Sequence, residues 1–416
     1  MPPTPPPTPE RGEPRIRDRG DACPGALRLH AADDGRLARL RLPAGRLTLR
    51  QAQVLADAAE ALGDGRISVT SRGNAELRGL PEGCGARLAE LLAAADLLPS
   101  PTHERVRNII ASPTAGLGGL GHADVQLWAR GLDAALCAEP RAASLSGRFL
   151  FVLDDGRGEV AGLGGDVSLV AEPDGTALLR LGPAAFRIDA ADAVPAALVA
   201  ALAFLDAADA AGTGAWRPRE LPDGHVPEWA GALARAGVDA EPVPVPPPLT
   251  VSPPPAPGAL PGGLHVLAPL GRLTAAQLRA LAPAAELRLT PWRGVVVVDP
   301  ADPEVPTPGT AAERLRELER QGFVTRPGAP GAGVTACTGR PGCAKSLADV
   351  RADALAAPAG PLPVHFSGCA RRCGHPHGDW VEVLATGEDG YLVDGLPTPR
   401  TSLTEAVATA RTNPTR

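Results

Sequence analysis

A short segment that occurs twice is the strongest constraint on the fold of this 416-residue chain. Residues 45–51 (GRLTLRQ) return as residues 271–277 (GRLTAAQ). In both copies a threonine precedes a glutamine by three residues, the pattern of a capping box that starts a helix. A strand-like run precedes each copy, at 26–30 and at 264–267. A second strand-like run, which contains a turn, follows each copy, at 66–80 and at 286–298. The order strand–helix–strand–strand therefore occurs twice, which predicts a duplicated α+β fold.

The turns in this repeat are also similar. Residues 70–73 (TSRG) are echoed by residues 290–294 (TPWRG), and aligning the two Arg-Gly pairs requires a one-residue slip. A shared origin of the two copies explains such a match better than chance.

The composition indicates a globular chain. Apolar residues make up 44% of it, enough for two or three domain cores, and the net charge of −6 offers no basic surface to nucleic acid. Residues 1–20 are rich in proline and charge, so we expect a disordered tail and not a targeting segment. The longest apolar run, 193–205, contains Pro195 and is too short to cross a bilayer. No membrane association is expected.

Four of the seven cysteines form two pairs in the C-terminal part. Five residues separate Cys337 from Cys343, three separate Cys369 from Cys373, and 25 lie between the pairs. Four thiolates bind a [4Fe–4S] cluster or a structural zinc ion, but zinc sites favour shorter spacings than C-x5-C. Adjacent glycines let the backbone approach inorganic sulfide. The pattern favours the cluster and leaves zinc or four unliganded thiols as alternatives.

The other cysteines indicate the compartment. Cys23, Cys84 and Cys137 are scattered, and we interpret them as packing residues. An odd, uneven set of cysteines in a long chain is not a disulfide framework. A reducing cytoplasm is therefore expected.

Arginines mark a second candidate site. Strand alternation places Arg72 and Arg78 on one polar face, and Arg105 and Arg107 precede an apolar run that could extend it. Such a face is often only solvated, but guanidinium groups also bind carboxylates bidentately. Lys345 is the only lysine, so the many arginines reflect base composition, and no single arginine is a signal by itself.

A polar segment follows the last cysteine. His375 and His377, with Asp379, could supply two imidazoles and a carboxylate to a mononuclear iron. The same residues could simply form a polar turn around Pro376. We keep His375 as the candidate catalytic residue.

The cysteine spacing, the duplicated unit and the turn at 70–74 (TSRGN) together resemble the nitrite/sulfite reductase superfamily, from about residue 22 to the C-terminus. Residues 146–150 (SGRFL) stand where its siroheme reductases carry Lys-x-Lys for their anionic substrate. Arg148 matches the first of these lysines, whereas Leu150 cannot replace the second. With residues 368–376 (GCARRCGHP) and the compact length, this brings the chain nearest to the superfamily branch of aerobic cobalamin biosynthesis.

The resemblance implies an α+β fold of two nitrite/sulfite reductase-like halves with pseudo-twofold symmetry, each a ferredoxin-like unit followed by an α/β segment. The implied boundaries are a tail at 1–20, a first ferredoxin-like unit at 21–100, a first α/β (tetrapyrrole-side) domain at 101–240, a Pro-rich linker at 241–260, a second ferredoxin-like unit at 261–330 and a 4Fe-4S-binding domain at 331–416.

The resemblance also implies a function, that of an oxygen-dependent monooxygenase with a [4Fe–4S] cluster on Cys337, Cys343, Cys369 and Cys373 and a mononuclear non-heme iron nearby. Its substrate would be the tetrapyrrole precorrin-3A, hydroxylated at C-20 with closure of a γ-lactone. Electrons would come from reduced nicotinamide or a ferredoxin.

The resemblance further implies where the substrate binds. Arg72 and Arg107 match the reductase arginines that contact siroheme and its substrate, and with Arg78 and Arg148 they are the expected substrate-binding residues. The alternative is a siroheme-dependent assimilatory sulfite or nitrite reductase, in which Cys373 would bridge cluster and siroheme. A zinc-binding module without catalysis is a third possibility.

Overall fold

The computed structural model describes residues 21, 23–300, 309–376 and 378–412, so the predicted tail and His377 lie outside the described residues. The chain divides into two compact units. Unit 1 comprises the chain up to Cys23, Arg105–Ser112 and Gly121–Ser252. Unit 2 comprises Pro24–Glu104, Pro113–Leu120 and the chain from Pro253 onward.

The elements follow one another in three stretches of the chain. The first contains β1 (His30–Ala32), β2 (Gly35–Leu40), β3 (Arg46–Leu47), α1 (Leu49–Leu62), β4 (Arg66–Val69), β5 (Ala75–Leu80) and α2 (Gly85–Ala93). The second contains β6 (Ile109–Ala111), α3 (Val125–Ala138), β7 (Phe151–Asp154), β8 (Val167–Ala171), β9 (Thr176–Leu181), β10 (Ala184–Asp189), α4 (Ala193–Ala211), α5 (Trp229–Arg235) and β11 (Ala240–Pro242). The third contains β12 (Gly258–Leu260), β13 (Gly263–Leu267), β14 (Arg272–Thr274), α6 (Ala275–Ala280), β15 (Glu286–Leu289), β16 (Gly294–Val298), α7 (Ala311–Arg320), β17 (Val334–Ala336), α8 (Val350–Ala354), β18 (Val364–Ser367), β19 (Val381–Ala385), β20 (Gly390–Val393), β21 (Leu396–Pro399) and α9 (Leu403–Thr412).

Unit 2 contains the sequence repeat as two antiparallel sheets that exchange strands. Their strand orders are β1-β2-β5-β4-β14 and β12-β13-β16-β15-β3. The short strand of each copy, β14 or β3, pairs with the sheet of the other copy, along β4 or β15. Both predicted capping boxes are present, at the start of α1 and of α6. Each copy therefore needs the other to complete its sheet.

The turns of the two copies have equal length, so the predicted one-residue slip is wrong. The Thr70 N–H donates to the Asn74 carbonyl, and the Thr290 N–H donates to the Gly294 carbonyl. Arg293 therefore occupies the position of a glycine in the first copy, and both residues have positive φ, 64° at Arg293 and 66° at the glycine. This conformation is uncommon for a residue with a side chain.

The long strand ahead of the first helix is β2, which comes before the short β3, and the prediction of a strand at residues 26–30 is wrong except at His30, the first residue of β1. The backbone N–H groups of Ala26 and Leu27 donate to the carboxylate of Glu104, at 2.6 and 2.9 Å. The Glu104 side chain thus occupies backbone N–H groups that would otherwise pair with a neighbouring strand. β2 pairs instead with β5.

The duplication extends to the α/β segments. Unit 1 has the sheet β11-β10-β9-β8-β7-β6, in which β6, β7 and β8 are parallel and the later strands antiparallel. Unit 2 has a third sheet, β17-β18-β19-β20-β21, in which β17, β18 and β19 are parallel and the rest antiparallel. In both segments a helix follows the first strand in chain order, α3 after β6 and α8 after β17. A second helix follows the last hairpin, α4 after β10 and α9 after β21. The predicted duplicated α+β fold is confirmed.

The apolar run in unit 1 forms a longer helix than the sequence predicted. Ala190–Ala211 has the length and hydropathy to cross a membrane, contrary to the expectation for this segment. However, Ala196, Ala200 and Phe204 are buried, and α4 packs against α3, α5, β8 and β9. Pro195 lies in the first turn of α4. A backbone N–H at that position would have no acceptor within the helix, so its absence in proline costs no helical hydrogen bond. The helix therefore forms part of the core of unit 1.

Acidification is expected to destabilise unit 2 through His265, a fully buried residue of β13. Burial lowers its pKa from 6.5 to about 4. As the pH falls, the unfolded chain takes up this proton before the folded chain does. The contribution of His265 to the free energy of unfolding is therefore fully present above about pH 6.5 and is lost as the pH drops toward 4. We expect a loss of about 2 kcal/mol between pH 7 and pH 4.5 from this residue. Urea unfolding of His265→Leu should show a smaller loss over that range, and an unchanged loss would contradict this assignment.

Candidate cysteine site

Cys337 and Cys369 follow neighbouring parallel strands of unit 2. Cys337 comes directly after β17, and Cys369 lies two residues after β18. Since the carboxyl ends of parallel strands meet at one edge of a sheet, both cysteines lie at that edge. The Gly368 N–H donates to Cys337 Sγ at 3.2 Å, and the Cys337 N–H donates to the Phe366 carbonyl at 3.0 Å.

The remaining two cysteines of the set lie close to this edge. Partial burial raises the pKa of the Cys373 thiol, and the negative charges of Cys337, Cys369 and Cys343 raise it further. All three other thiols are therefore within electrostatic range of Cys373. Cys373 is exposed, and the other three cysteines are half-buried.

Glycines make room for the cysteine loops. A Cβ at Gly368 would lie 1.9 Å from Ser346 Oγ. A Cβ at Gly339 would lie 3.0 Å from Val350 Cγ2, and its φ is +70°. A side chain at either position would therefore displace the loop that carries a cysteine.

The donor set fits an iron–sulfur cluster better than a single ion. Among the described residues, no group of three or more His, Cys, Asp or Glu side chains could hold one metal ion. A zinc ion draws its thiolates to about 2.3 Å. A four-iron cluster, in contrast, keeps its thiolates apart around an inorganic core. The Gly368 N–H that donates to Cys337 Sγ is the kind of backbone hydrogen bond that cluster thiolates accept.

His375 lies at the edge of this site. Its ring stacks on Trp380 with centroids 5.3 Å apart, and Nδ1 is 2.8 Å from the Pro376 carbonyl oxygen. Asp379 is exposed, and His377 lies outside the described residues. The part of the chain that the structure describes therefore does not assemble the predicted ligands of a mononuclear iron.

A second histidine, which the sequence analysis missed, lies on the other side of Trp380. His365 is fully buried in β18, and its ring meets Trp380 edge to face at 5.8 Å. Nδ1 is 2.8 Å from Thr335 Oγ1, and Nε2 has no partner among the described residues. Burial and the positive charges of Arg293 and His375 lower its pKa to about 3, so the ring is neutral. The available signal was its place between two large apolar residues, Val364 and Phe366, of a short strand.

Arg293 is the other residue that the sequence analysis missed. Its Nη2 donates to the Gly374 carbonyl oxygen at 2.5 Å, one residue after Cys373. A Cβ at Gly374 would lie 2.7 Å from that nitrogen, and a Cβ at Gly271 would lie 2.6 Å from Arg293 Cδ. With its positive φ, Arg293 is a strained residue that links the cysteine loop to the second sequence repeat. Its only sequence signal was the glycine at the matching position of the first copy.

Replacing Arg293 by glycine is expected to loosen the cysteine loop without unfolding unit 2. Glycine adopts the positive φ without strain, while the bond to the Gly374 carbonyl is lost. Backbone amides of residues 369–376 should exchange hydrogen about tenfold faster. Exchange measured by mass spectrometry tests this, with Arg320→Gln at the exposed end of α7 as control. Unchanged exchange in Arg293→Gly would show that the bond does not hold the loop.

The predicted substrate-binding arginines are divided between the units. Arg72 and Arg78 belong to unit 2, and Arg107 and Arg148 belong to unit 1. Arg78 donates to both oxygens of Asp34 at 2.9 and 2.8 Å. A substrate carboxylate would have to displace this bidentate pair.

Arg107 and Arg148 have different surroundings in unit 1. Arg107 donates to both oxygens of Asp133 at 2.6 Å and is buried. Arg148 is exposed, and its guanidinium carbon lies 4.8 Å from the centre of the Trp216 ring. Leu150 is buried in the core, so no charge can stand there without a large desolvation cost.

Comparisons with known proteins agree with this fold. The nitrite/sulfite reductase ferredoxin-like half domain matches residues 30–95. A precorrin-3B synthase of Sinorhizobium sp is 29% identical over 402 residues, 91% of this chain and 83% of that protein. A ferredoxin–nitrite reductase of Synechococcus elongatus is 27% identical over 409 residues, 86% and 78% of the two chains. The structure of the NirA protein of Mycobacterium tuberculosis has a TM-score of 0.69 at 16% identity, covering 92% and 82%.

The chain is thus similar to oxidoreductases of the nitrite/sulfite reductase-like superfamily over most of its length, and it has the duplicated-half fold. Both named curated relatives are similar over most of the chain. One of them, the precorrin-3B synthase, belongs to the cobalamin-pathway branch that the sequence resembles.

Proposed function

We propose that this protein acts as a precorrin-3B synthase, a monooxygenase that hydroxylates precorrin-3A at C-20 with γ-lactone formation in aerobic cobalamin biosynthesis. The observation that carries the proposal is the similarity to a precorrin-3B synthase over 91% of the chain. The buried Leu150 supports it, since a reductase of inorganic anions would need a second positive charge there. Free cysteines throughout the described chain support a cytoplasmic location.

In this proposal Cys337, Cys343, Cys369 and Cys373 hold a [4Fe–4S] cluster, which supplies single electrons when bound. The Gly368 N–H donates to Cys337 Sγ and partly neutralises the thiolate. Arg293 holds the loop after Cys373. These contacts hold the cysteine sulfur atoms in place. A reduced nicotinamide or a ferredoxin provides the electrons.

Arginines orient the tetrapyrrole in this proposal. Arg148, stacked on Trp216, is exposed and can pair with a substrate carboxylate. Arg72, in the turn between β4 and β5, has the same role. Per turnover one atom of dioxygen enters the tetrapyrrole and the other leaves as water, with uptake of two electrons and two protons. Among the described residues, no group of side chains could hold a mononuclear iron.

Labelled dioxygen tests the reaction itself. Anaerobically purified protein is incubated with precorrin-3A, a reductant and ¹⁸O₂, and the product is weighed by mass spectrometry. We expect one label atom in the product and the other in water. A product without label, or no conversion by protein that contains its cluster, would contradict the proposal.

Arg72→Ala is expected to weaken tetrapyrrole binding. Loss of one charge-assisted contact should raise the Kd for precorrin-3A about tenfold while the visible spectrum stays the same. Fluorescence or absorbance titration measures the affinity, with the exposed Arg326→Ala as control. Equal affinity in Arg72→Ala would remove this residue from the site.

A siroheme-dependent sulfite or nitrite reductase is the second candidate, favoured by the similarity to a ferredoxin–nitrite reductase. The absorption spectrum separates the two functions. Siroheme adds long-wavelength bands, whereas a cluster alone gives a broad brown shoulder. We expect the shoulder alone, and siroheme bands in the protein as purified would favour the reductase.

A further inference from the structure

A cavity of about 850 Å³ in unit 2 is not used by the proposed reaction. It lies between the start of β4, the segment around β14 and the loop that joins Cys337 to Cys343. Neither Arg72 nor His375 lines it. Its charged lining consists of four arginines and four aspartates: Arg66, Arg272, Arg340, Arg351, Asp33, Asp34, Asp64 and Asp349.

Each of the four aspartates is already hydrogen-bonded within the protein. Asp33 accepts the Ala344 N–H at 2.7 Å, and Asp34 accepts two bonds from Arg78. Asp64 pairs with Arg272. Asp349 caps α8 by accepting the Ala352 N–H at 3.2 Å. A ligand would therefore find few free acceptors in this cavity.

Hydrogen-bond donors, in contrast, are left over. Arg66 and Arg351 pair with no carboxylate among the described residues, and Arg351 reaches only the Leu270 carbonyl, at 3.3 Å. The Nε atom of Arg272 is buried and has no partner within the described chain. Burial and the charges of Arg272, Arg293 and Arg66 lower the pKa of Arg351 to about 10. Arg66 and Arg351 thus lie near Arg272, which Asp64 already pairs, without a carboxylate of their own among the described residues, so an anionic group there would offset the repulsion between these guanidinium groups.

We propose that this cavity binds a small molecule that carries two or more adjacent anionic groups, phosphate or carboxylate, through Arg66, Arg272 and Arg351. Guanidinium groups bind both kinds of oxyanion bidentately. The volume is in the range of small-molecule pockets and exceeds what a single inorganic anion fills. Thr338 and Gly342 line the same cavity, so a bound ligand contacts the loop between Cys337 and Cys343.

Calorimetric titration of the purified holo-protein tests this inference. Inorganic pyrophosphate serves as the phosphate probe and tricarballylate as the carboxylate probe, at one fixed ionic strength. We expect saturable binding of at least one probe, with one site per chain. The probe that binds more tightly identifies the preferred oxyanion.

Three variants make the test specific. Arg351→Gln should weaken binding at least about tenfold. Arg66→Gln should weaken it about threefold, and its exposed side chain has no partner among the described residues whose loss could disturb folding. Arg320→Gln, at an exposed arginine paired with Glu317, should bind like the unmodified protein. Absence of binding by both probes, or unchanged affinity in Arg66→Gln and Arg351→Gln, would overturn the inference.

Discussion

Replacement of Cys369 by alanine is expected to remove the iron, the brown colour and the activity together. Cys369 follows β18 beside Cys337, so its loss leaves a cluster with three thiolates and one open corner. Iron content, the visible spectrum and turnover of precorrin-3A measure the three effects. We expect each to fall to near background.

Cys137→Ala is the matched control for this experiment. Cys137 lies in α3 of unit 1 and has no part in the proposed cluster. Its variant should keep the iron content and spectrum of the unmodified protein. If Cys369→Ala retained full iron and colour, the cysteine would not be a ligand and the redox assignment would be wrong.

The second large effect is expected at Arg411, which is fully buried in α9. Its guanidinium donates to the carbonyls of Leu362, Ala332 and Gly360 at 2.7, 2.9 and 2.8 Å, and it also bonds to the Pro358 carbonyl. No salt-bridge carboxylate accompanies it among the described residues, and burial lowers its pKa. It is thus a cation held by carbonyl dipoles alone.

Arg411→Met should destabilise unit 2 by roughly 4 kcal/mol, because four backbone carbonyls lose a charged hydrogen-bond donor. The bonded segments precede β17 and β18, whose far ends carry Cys337 and Cys369. We therefore expect weaker iron retention as well as a lower urea midpoint. Arg320→Met, at an exposed position, should change neither. A free energy of unfolding within about 0.5 kcal/mol of that of the unmodified protein would contradict this role for Arg411.

The duplicated fold could be predicted because its signals are local. Thr48 and Thr274 are recognisable as helix caps from a few neighbouring residues, and both capping boxes are present. The exchange of β3 and β14 between the sheets could not be predicted, since it depends on pairing between residues far apart in the chain. The error at residues 26–30 has the same cause, because Glu104 lies 77 or more positions away.

The candidate site was predictable only in part. Cysteine spacing drew attention to the four thiols, and the parallel pairing of β17 with β18 explains how Cys337 and Cys369 come to one edge. Arg293, Arg351 and His365 were missed because a basic residue in a sequence gives no sign of the contacts that it makes in the folded chain. In an arginine-rich chain such positions have no distinguishing pattern. Their importance comes from the neighbours that tertiary packing supplies.

The central claim is that four thiolates from two chain segments surround one iron–sulfur centre. Metal and sulfide analysis of anaerobically purified protein tests it most directly. The account predicts about four iron atoms and four acid-labile sulfides per chain, with no stoichiometric zinc. Protein that is folded and colourless, with zinc or no metal and no labile sulfide, would contradict it.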